Sequence, residues 1–224
     1  MLAGGTGQRV GGATPKQLIE VAGRPILSYA IEAFENAAGI DEILVVMAAG
    51  HEAAAAAIAR PFSKVKAVLS GGDTRTESTL RALEALRAAP DHTHVLFHDA
   101  ARPFVDQTVI GGCLAALESY EAVAVAVPTS DTIVEIADDQ VVAMPSRDSL
   151  RRFQTPQGFR LGTLRKAYEL ALADESFTAT DDCGVVHRYL PNVPIRVVPG
   201  NEHNLKVTHP LDLVIAENLA ARAR

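Results

Sequence analysis

Six consecutive residues, Ala122-Val123-Ala124-Val125-Ala126-Val127, carry no polar side chain. A strand with one face in water alternates apolar and polar residues, so a continuous apolar run must be covered on both faces. Ile43-Leu44-Val45-Val46-Met47, Val68-Leu69 and His94-Val95-Leu96-Phe97 read as further buried strands. Helical periods lie between them. Leu27, Ala30, Ile31 and Phe34 share one helix face, as do Val109, Ile110, Cys113, Leu114 and Leu117. The alanine-rich stretch from Ala53 to Ala59 reads as a helix, and a last helix entered after Pro210 stripes Leu211, Ile215 and Leu219. This alternation predicts an α/β domain with a doubly wound, mostly parallel sheet, and ligands beyond the C-terminal ends of its strands.

One segment interrupts the alternation. Thr132-Ile133-Val134-Glu135-Ile136 and Val141-Val142-Ala143-Met144 flank the polar turn Ala137-Asp138-Asp139-Gln140, a hairpin pattern. The expectation is a single domain over residues 1–224, with residues 129–150 forming an arm. A lone two-stranded hairpin is marginal in water and needs a partner surface, for which twofold pairing of identical arms is the commonest solution. A homodimer follows as the expected assembly. At the start, Met1-Leu2-Ala3 runs directly into glycine, leaving almost no strand, and a few upstream residues are expected before it.

Two hundred and twenty-four residues with 48% hydrophobic and 21% charged side chains suit one well-buried globular domain, not a disordered or disulfide-stapled chain. The formal net charge of −6 argues against a general nucleic-acid binder. No apolar run reaches the roughly 18 residues that span a bilayer. Cys113 and Cys183 lie far apart with no metal-type spacing, so a reducing cytoplasm is the expected compartment.

The chemistry concentrates in a glycine loop after the first strand, Leu2-Ala3-Gly4-Gly5-Thr6-Gly7-Gln8-Arg9-Val10-Gly11-Gly12. Glycines let backbone N–H groups approach a phosphate closely. A dinucleotide fingerprint fails because Val10 stands where its last glycine belongs, and a P-loop fails because Ala13 replaces its lysine. What remains is a loop carrying its own cation, Arg9, followed by Pro15-Lys16. Two fixed cations beside a phosphate cradle suit a triphosphate whose charge grows in the transition state.

With the blocks that follow it, this opening resembles the sugar-phosphate nucleotidyltransferases, specifically the cytidylyltransferases. Those blocks are Gly71-Gly72-Asp73-Thr74-Arg75-Thr76-Glu77-Ser78, His98-Asp99-Ala100-Ala101-Arg102-Pro103, Asp131-Thr132, Arg147, Gln154-Thr155-Pro156-Gln157, Thr180-Asp181-Asp182 and Asn204-Leu205-Lys206-Val207-Thr208. They cover nearly the whole chain and are similar to the 2-C-methyl-D-erythritol 4-phosphate cytidylyltransferases and their relatives, the ribitol-5-phosphate cytidylyltransferases. The resemblance implies a Rossmann-like fold with an inserted hairpin arm exchanged between two subunits. It also implies attack by a sugar-alcohol phosphate on the α-phosphorus of CTP, assisted by magnesium. No enzyme nucleophile is needed.

Residue by residue, the resemblance gives catalytic roles to Arg9, Lys16, Arg147 and Lys206: the first two on the triphosphate, the last two on the acceptor. It places Ala3, Gly4, Gly72, Asp73 and Ser78 around the cytosine and ribose, with Gly5 and Gly7 completing the CTP loop. Asp99, Arg102, Thr132, Thr155 and Thr180 fall on the acceptor side, Asp99 also being the candidate metal ligand. Read on its own, Asp73 is a helix N-cap, and Asp99 with Arg102 a surface ion pair. His98 carries no assignment.

For the acceptor, Leu2-Ala3-Gly4-Gly5 and Asn204-Leu205-Lys206 lean toward ribitol phosphate. His98 to Pro103 and Phe153 to Phe159 lean toward methylerythritol phosphate, which is the expectation taken forward, with ribitol 5-phosphate as the alternative. Two other classes are weaker. A nicotinamide-dependent oxidoreductase is disfavoured by Val10, and a non-catalytic nucleotide binder has no need of Arg9, Lys16, Arg147 and Lys206 together.

Overall fold

A computed structural model describes residues 1–5 and 15–222 of the chain. In chain order its elements begin with β1 (Leu2–Ala3), β2 (Glu20–Val21), β3 (Arg24–Pro25), α1 (Ile26–Glu35), β4 (Ile43–Met47), α2 (Glu52–Ala59), β5 (Val65–Ser70), α3 (Arg75–Ala85) and β6 (His94–Phe97). They continue with α4 (Gln107–Leu117), β7 (Ala122–Pro128), β8 (Glu135–Ala137), β9 (Gln140–Ala143), β10 (Arg151–Arg160), α5 (Leu161–Leu172), α6 (Asp182–Tyr189), β11 (Ile195–Pro199) and α7 (Pro210–Arg222).

The strands pair in two groups, β5-β4-β1 and β6-β10-β7-β11, and a parallel bridge between Leu2 and Asp99 joins them across β1 and β6. Within these groups pairing is parallel except where β10 runs against both β6 and β7, and β2–β3 and β8–β9 form separate antiparallel hairpins. The sheet is therefore the mostly parallel one expected. β7 shows why its sequence is apolar throughout. Val123 and Val125 face α1 and α4, packing with Leu27, Ile31, Ile110 and Leu117, whereas Ala122 and Ala124 face α5 and α6 with Phe159, Leu164 and Val186. The period of two thus meets a helical layer on either side. Pro156, which cannot donate to a ladder, falls where the β7–β10 register shifts between Phe153 and Gln157.

Two readings need correction. The stripe expected on the last helix does not face the core: α7 buries Ala216 and Ala220 against Val21, Ile26 and Val207, leaving Leu211, Val214 and Ile215 exposed. Alanines let the helix approach the β2–β3 hairpin closely, which bulkier side chains on that face would prevent. The arm is a hairpin as expected, but its strands are shorter, β8 starting only at Glu135. Its turn is tight: Asp138 and Asp139 both have positive φ, at 48° and 61°, as a two-residue turn of matching twist requires. Ile136, Val141, Val142 and Met144 on this arm are more than half exposed.

Candidate active site

The parallel strands β1, β4, β5, β6 and β7 all end at one edge of the sheet, and β10, running the other way, begins there. The segments that follow or precede these ends meet at that edge, where an open α/β sheet binds its ligands. On one side, Ala3 is fully buried and Gly4 lies against Ser78, whose Oγ would be 2.7 Å from any Cβ placed on Gly4. Gly71 is equally restricted, 2.9 Å from the same oxygen. The Ser78 hydroxyl donates to the Thr74 carbonyl and accepts from the Gly72 N–H, fixing the turn into α3. Asp73 is not the cap of that helix. Thr74 is, its Oγ1 accepting from the Glu77 N–H, while the Glu77 carboxylate accepts from the Asp73 N–H at 2.7 Å. The Asp73 side chain is left exposed beside the glycines.

Asp99 is the electrostatic centre. One oxygen is 2.7 Å from the Lys206 ammonium and the other 3.6 Å from Arg75 Nε. Burial pushes the Asp99 carboxyl up, but Lys206 and Arg75 more than reverse this and hold it well below the usual carboxylate range. Arg75 pairs at 2.7 Å with Asp182, a fully buried carboxylate that also accepts from the Thr79 and Tyr168 hydroxyls. Assigning roles from the sequence passed over Arg75 and Asp182. A signal existed: a cation in the first turn of a helix opposes the helix dipole and calls for a carboxylate partner.

Three segments interlock around Asp99. Arg102 donates to the Asn204 carbonyl at 2.8 Å, Asn204 Nδ2 donates to the Thr155 carbonyl at 2.8 Å, and the Val207 N–H donates to Ala101. Lys16, on a short turn at Lys16–Leu18, reaches the same place, its ammonium donating to the Val207 carbonyl at 2.8 Å. Lys16, Lys206, Asp99, Arg102 and Thr155 are thereby brought together. The Asp99 N–H donates to Thr155 Oγ1 at 3.0 Å. His98 is fully buried, and burial lowers its pKa to about 4, so the ring is neutral. The Arg102 carbonyl can only accept, so His98 Nε2 carries the proton and Nδ1 must accept from the Thr155 hydroxyl at 3.1 Å. The Thr155 proton is committed inside the protein rather than offered to a ligand.

Arg147 donates to the Ser130 carbonyl at 3.2 Å, which places it at the base of the arm, and both it and Thr132 are exposed. Thr180 is exposed just before Asp181, which caps α6 through the Gly184 N–H. Arg9 and Gly7 lie outside the described residues. Gly5, 3.8 Å from Lys16 Cε when a Cβ is placed on it, brings the start of that loop to Lys16.

Among the described residues no group of three or more His, Cys, Asp or Glu side chains could hold a metal, so Asp99 is a lone carboxylate. Among the described residues no helix is long and apolar enough to cross a membrane. A cavity of about 750 Å³ lies at the starts of β4 and β6 beside Phe34 and Leu114 and extends to His98.

The profile of the 2-C-methyl-D-erythritol 4-phosphate cytidylyltransferase family matches residues 1–222. The enzyme of that name from Thermobifida fusca is 50% identical, over 98% of this chain and 91% of its own. A bifunctional ribulose 5-phosphate reductase/CDP-ribitol pyrophosphorylase from Haemophilus influenzae is 39% identical, over 98% of this chain and 47% of its own. The crystal structure of 4-diphosphocytidyl-2C-methyl-D-erythritol synthase from Anaerococcus prevotii superposes with a TM-score of 0.87 at 31% identity, covering 99% of this chain and 94% of the other.

Proposed function

The chain belongs to the 2-C-methyl-D-erythritol 4-phosphate cytidylyltransferase family, and from that membership we propose how its residues divide the reaction. The protein is an enzyme of isoprenoid precursor synthesis that transfers the cytidylyl group of CTP to methylerythritol phosphate. An oxygen of the acceptor phosphate bonds to the α-phosphorus of CTP. The bond from that phosphorus to the bridging oxygen breaks, and pyrophosphate leaves with the electron pair. With no enzyme nucleophile, catalysis rests on alignment and charge stabilisation. The relative acting on ribitol phosphate is the more distant one, which favours methylerythritol phosphate as acceptor.

The observation that carries the division of roles is the convergence of Lys16, Lys206, Arg102 and Asp99 beside the Gly71–Ser78 turn. Ala3, Gly4, Gly5, Gly72, Asp73 and Ser78 receive the cytidine. The close approach of Gly4 and Gly71 to Ser78 leaves no room for a side chain there, in keeping with a wall of small residues that favours a pyrimidine over a purine. Lys16, with Arg9, holds the triphosphate and stabilises the charge that builds on the α-phosphate. Lys206 and Arg102 take the acceptor phosphate, with Thr180 at its rim. Thr155 acts through Asp99.

Magnesium fits this site as an ion carried on the substrate, since it is commonly bound by one or two carboxylates plus phosphates and water. Asp99 is the carboxylate that would hold it. When bound, the ion neutralises phosphate charge. The chain works as one unit over residues 1–224, with 129–150 as a dimerisation arm whose exposed Ile136, Val141, Val142 and Met144 support pairing with a second copy. Arg147 and Thr132 on that arm then reach the partner's acceptor. Two buried free thiols accord with a reducing cytoplasm.

The direct test is incubation with CTP, magnesium and each sugar-alcohol phosphate separately, with mass identification of the product. CDP-methylerythritol is expected. A product formed only from ribitol phosphate would overturn the acceptor assignment.

A further inference from the structure

The geometry points to Arg75 as a positioning residue: anchored on buried Asp182, it fixes one oxygen of Asp99 so that the other holds Lys206 where the acceptor phosphate binds. Three elements meet in this chain of contacts. Arg75 opens α3 after the glycine turn, Asp182 opens α6 two residues after Thr180, and Asp99 follows β6. The Arg75 Nη1 to Asp182 distance is 2.7 Å and the Nε to Asp99 distance 3.6 Å. Lys206 meets the remaining Asp99 oxygen at 2.7 Å.

A carboxylate held from one side only can rotate about its last bond, and Lys206, whose side chain is 40% exposed, would move with it. Cations on both oxygens restrain that rotation, Lys206 at hydrogen-bonding distance and Arg75 as a longer ion pair. Arg75 is suited to this because a guanidinium presents a rigid fork, whereas an ammonium is a point charge. Its own position is set from behind by Asp182, whose side chain has no solvent exposure and whose other oxygen is held by Thr79 and Tyr168.

The simpler account is that Arg75 only neutralises Asp182. That account leaves two observations idle. Arg75 Nε is turned to a second carboxylate on a different element, and Nη2 is shut from solvent without a hydrogen-bond partner among the described residues. A buried donor left unmatched is costly. With Nη1 on Asp182 and Nε toward Asp99, the guanidinium is shared between two carboxylates.

The inference rests on the cytidylyltransfer reading, and three variants separate the two. Arg75→Met leaves Asp182 as an unpaired buried charge and is expected to lower stability. Arg75→Met combined with Asp182→Asn removes both charges, so the melting temperature should recover. If Arg75 positions Asp99, kcat/KM for the acceptor nevertheless stays down by ~10- to 100-fold, the scale on which a displacement of about an ångström acts. The KM for CTP should move little. Arg75→Lys retains a cation for Asp182, so it should fold like the parent yet show the same loss on the acceptor; it decides the matter if the double variant does not fold. Parental acceptor kinetics in Arg75→Lys or in a folded double variant would overturn the inference, as would a loss confined to the KM for CTP. A parent protein that makes no CDP product would instead defeat the functional reading.

Discussion

Replacing Thr155 with valine keeps the shape of the side chain and deletes one hydroxyl. That hydroxyl accepts from the Asp99 N–H at 3.0 Å and donates to His98 Nδ1 at 3.1 Å, within a site where Thr155 is 5% exposed and His98 1%. The variant strands a buried donor and a buried acceptor together. His98 has no escape by changing tautomer, because a proton on Nδ1 removes the donor that the Arg102 carbonyl uses at 3.0 Å. Each orphaned buried group costs about 1–3 kcal/mol, so a loss of about 3 kcal/mol is a conservative sum. For a chain of this size each kcal/mol moves the melting temperature by about 2–4 °C, giving an expected drop of about 6–12 °C by calorimetry. Thr155→Ser keeps the hydroxyl and loses one methyl group, a change of about 1 kcal/mol. A valine variant that melts within about 2 °C of the parent would refute the relay, given that spread.

His98 also predicts acid sensitivity. Its pKa is about 4 in the fold against an ordinary 6.5, so the unfolded chain takes up a proton that the folded chain refuses. Stability is complete above 6.5 and is lost as pH falls toward 4, by about 2 kcal/mol between about pH 7 and pH 5. Denaturant unfolding at the two pH values measures it, and equal stabilities would contradict the buried neutral ring. The arm is tested by mixing inactive Lys16→Ala with inactive Arg147→Ala subunits. If Arg147 serves the partner's site, half of a random mixture is mixed dimers with one intact site each, and about a quarter of parental activity returns. No recovery, with mixed dimers shown to form, would reject exchange of the arm.

Several strands and helices, and the hairpin of the arm, were legible in the chain because each depends on neighbours a few residues away. A continuous apolar run such as Ala122 to Val127 has one solution in a sheet covered on both faces, and Asp138-Asp139 sits where a two-residue turn demands positive φ. Lys16 was legible as a cation following a glycine loop, whereas Asp99, Arg102 and Lys206 were picked out only by resemblance to the cytidylyltransferases.

Other features depended on contacts between residues far apart in the chain. Periodicity showed that the last helix has apolar residues but not which face is buried, and the β2–β3 hairpin selected Ala216 and Ala220 over Leu211 and Ile215. Thr155 looked like a hydroxyl for a ligand until β10 brought it to His98 and Asp99. Arg75 had no role in the sequence reading, and α6 delivers its partner Asp182 from a distant part of the sequence. Local patterns determine elements and the kinds of groups at their ends. Which buried polar group finds which partner is decided by the packing of the sheet and its helices, because an unmatched charge or hydrogen bond inside the protein costs as much as several correct local choices supply.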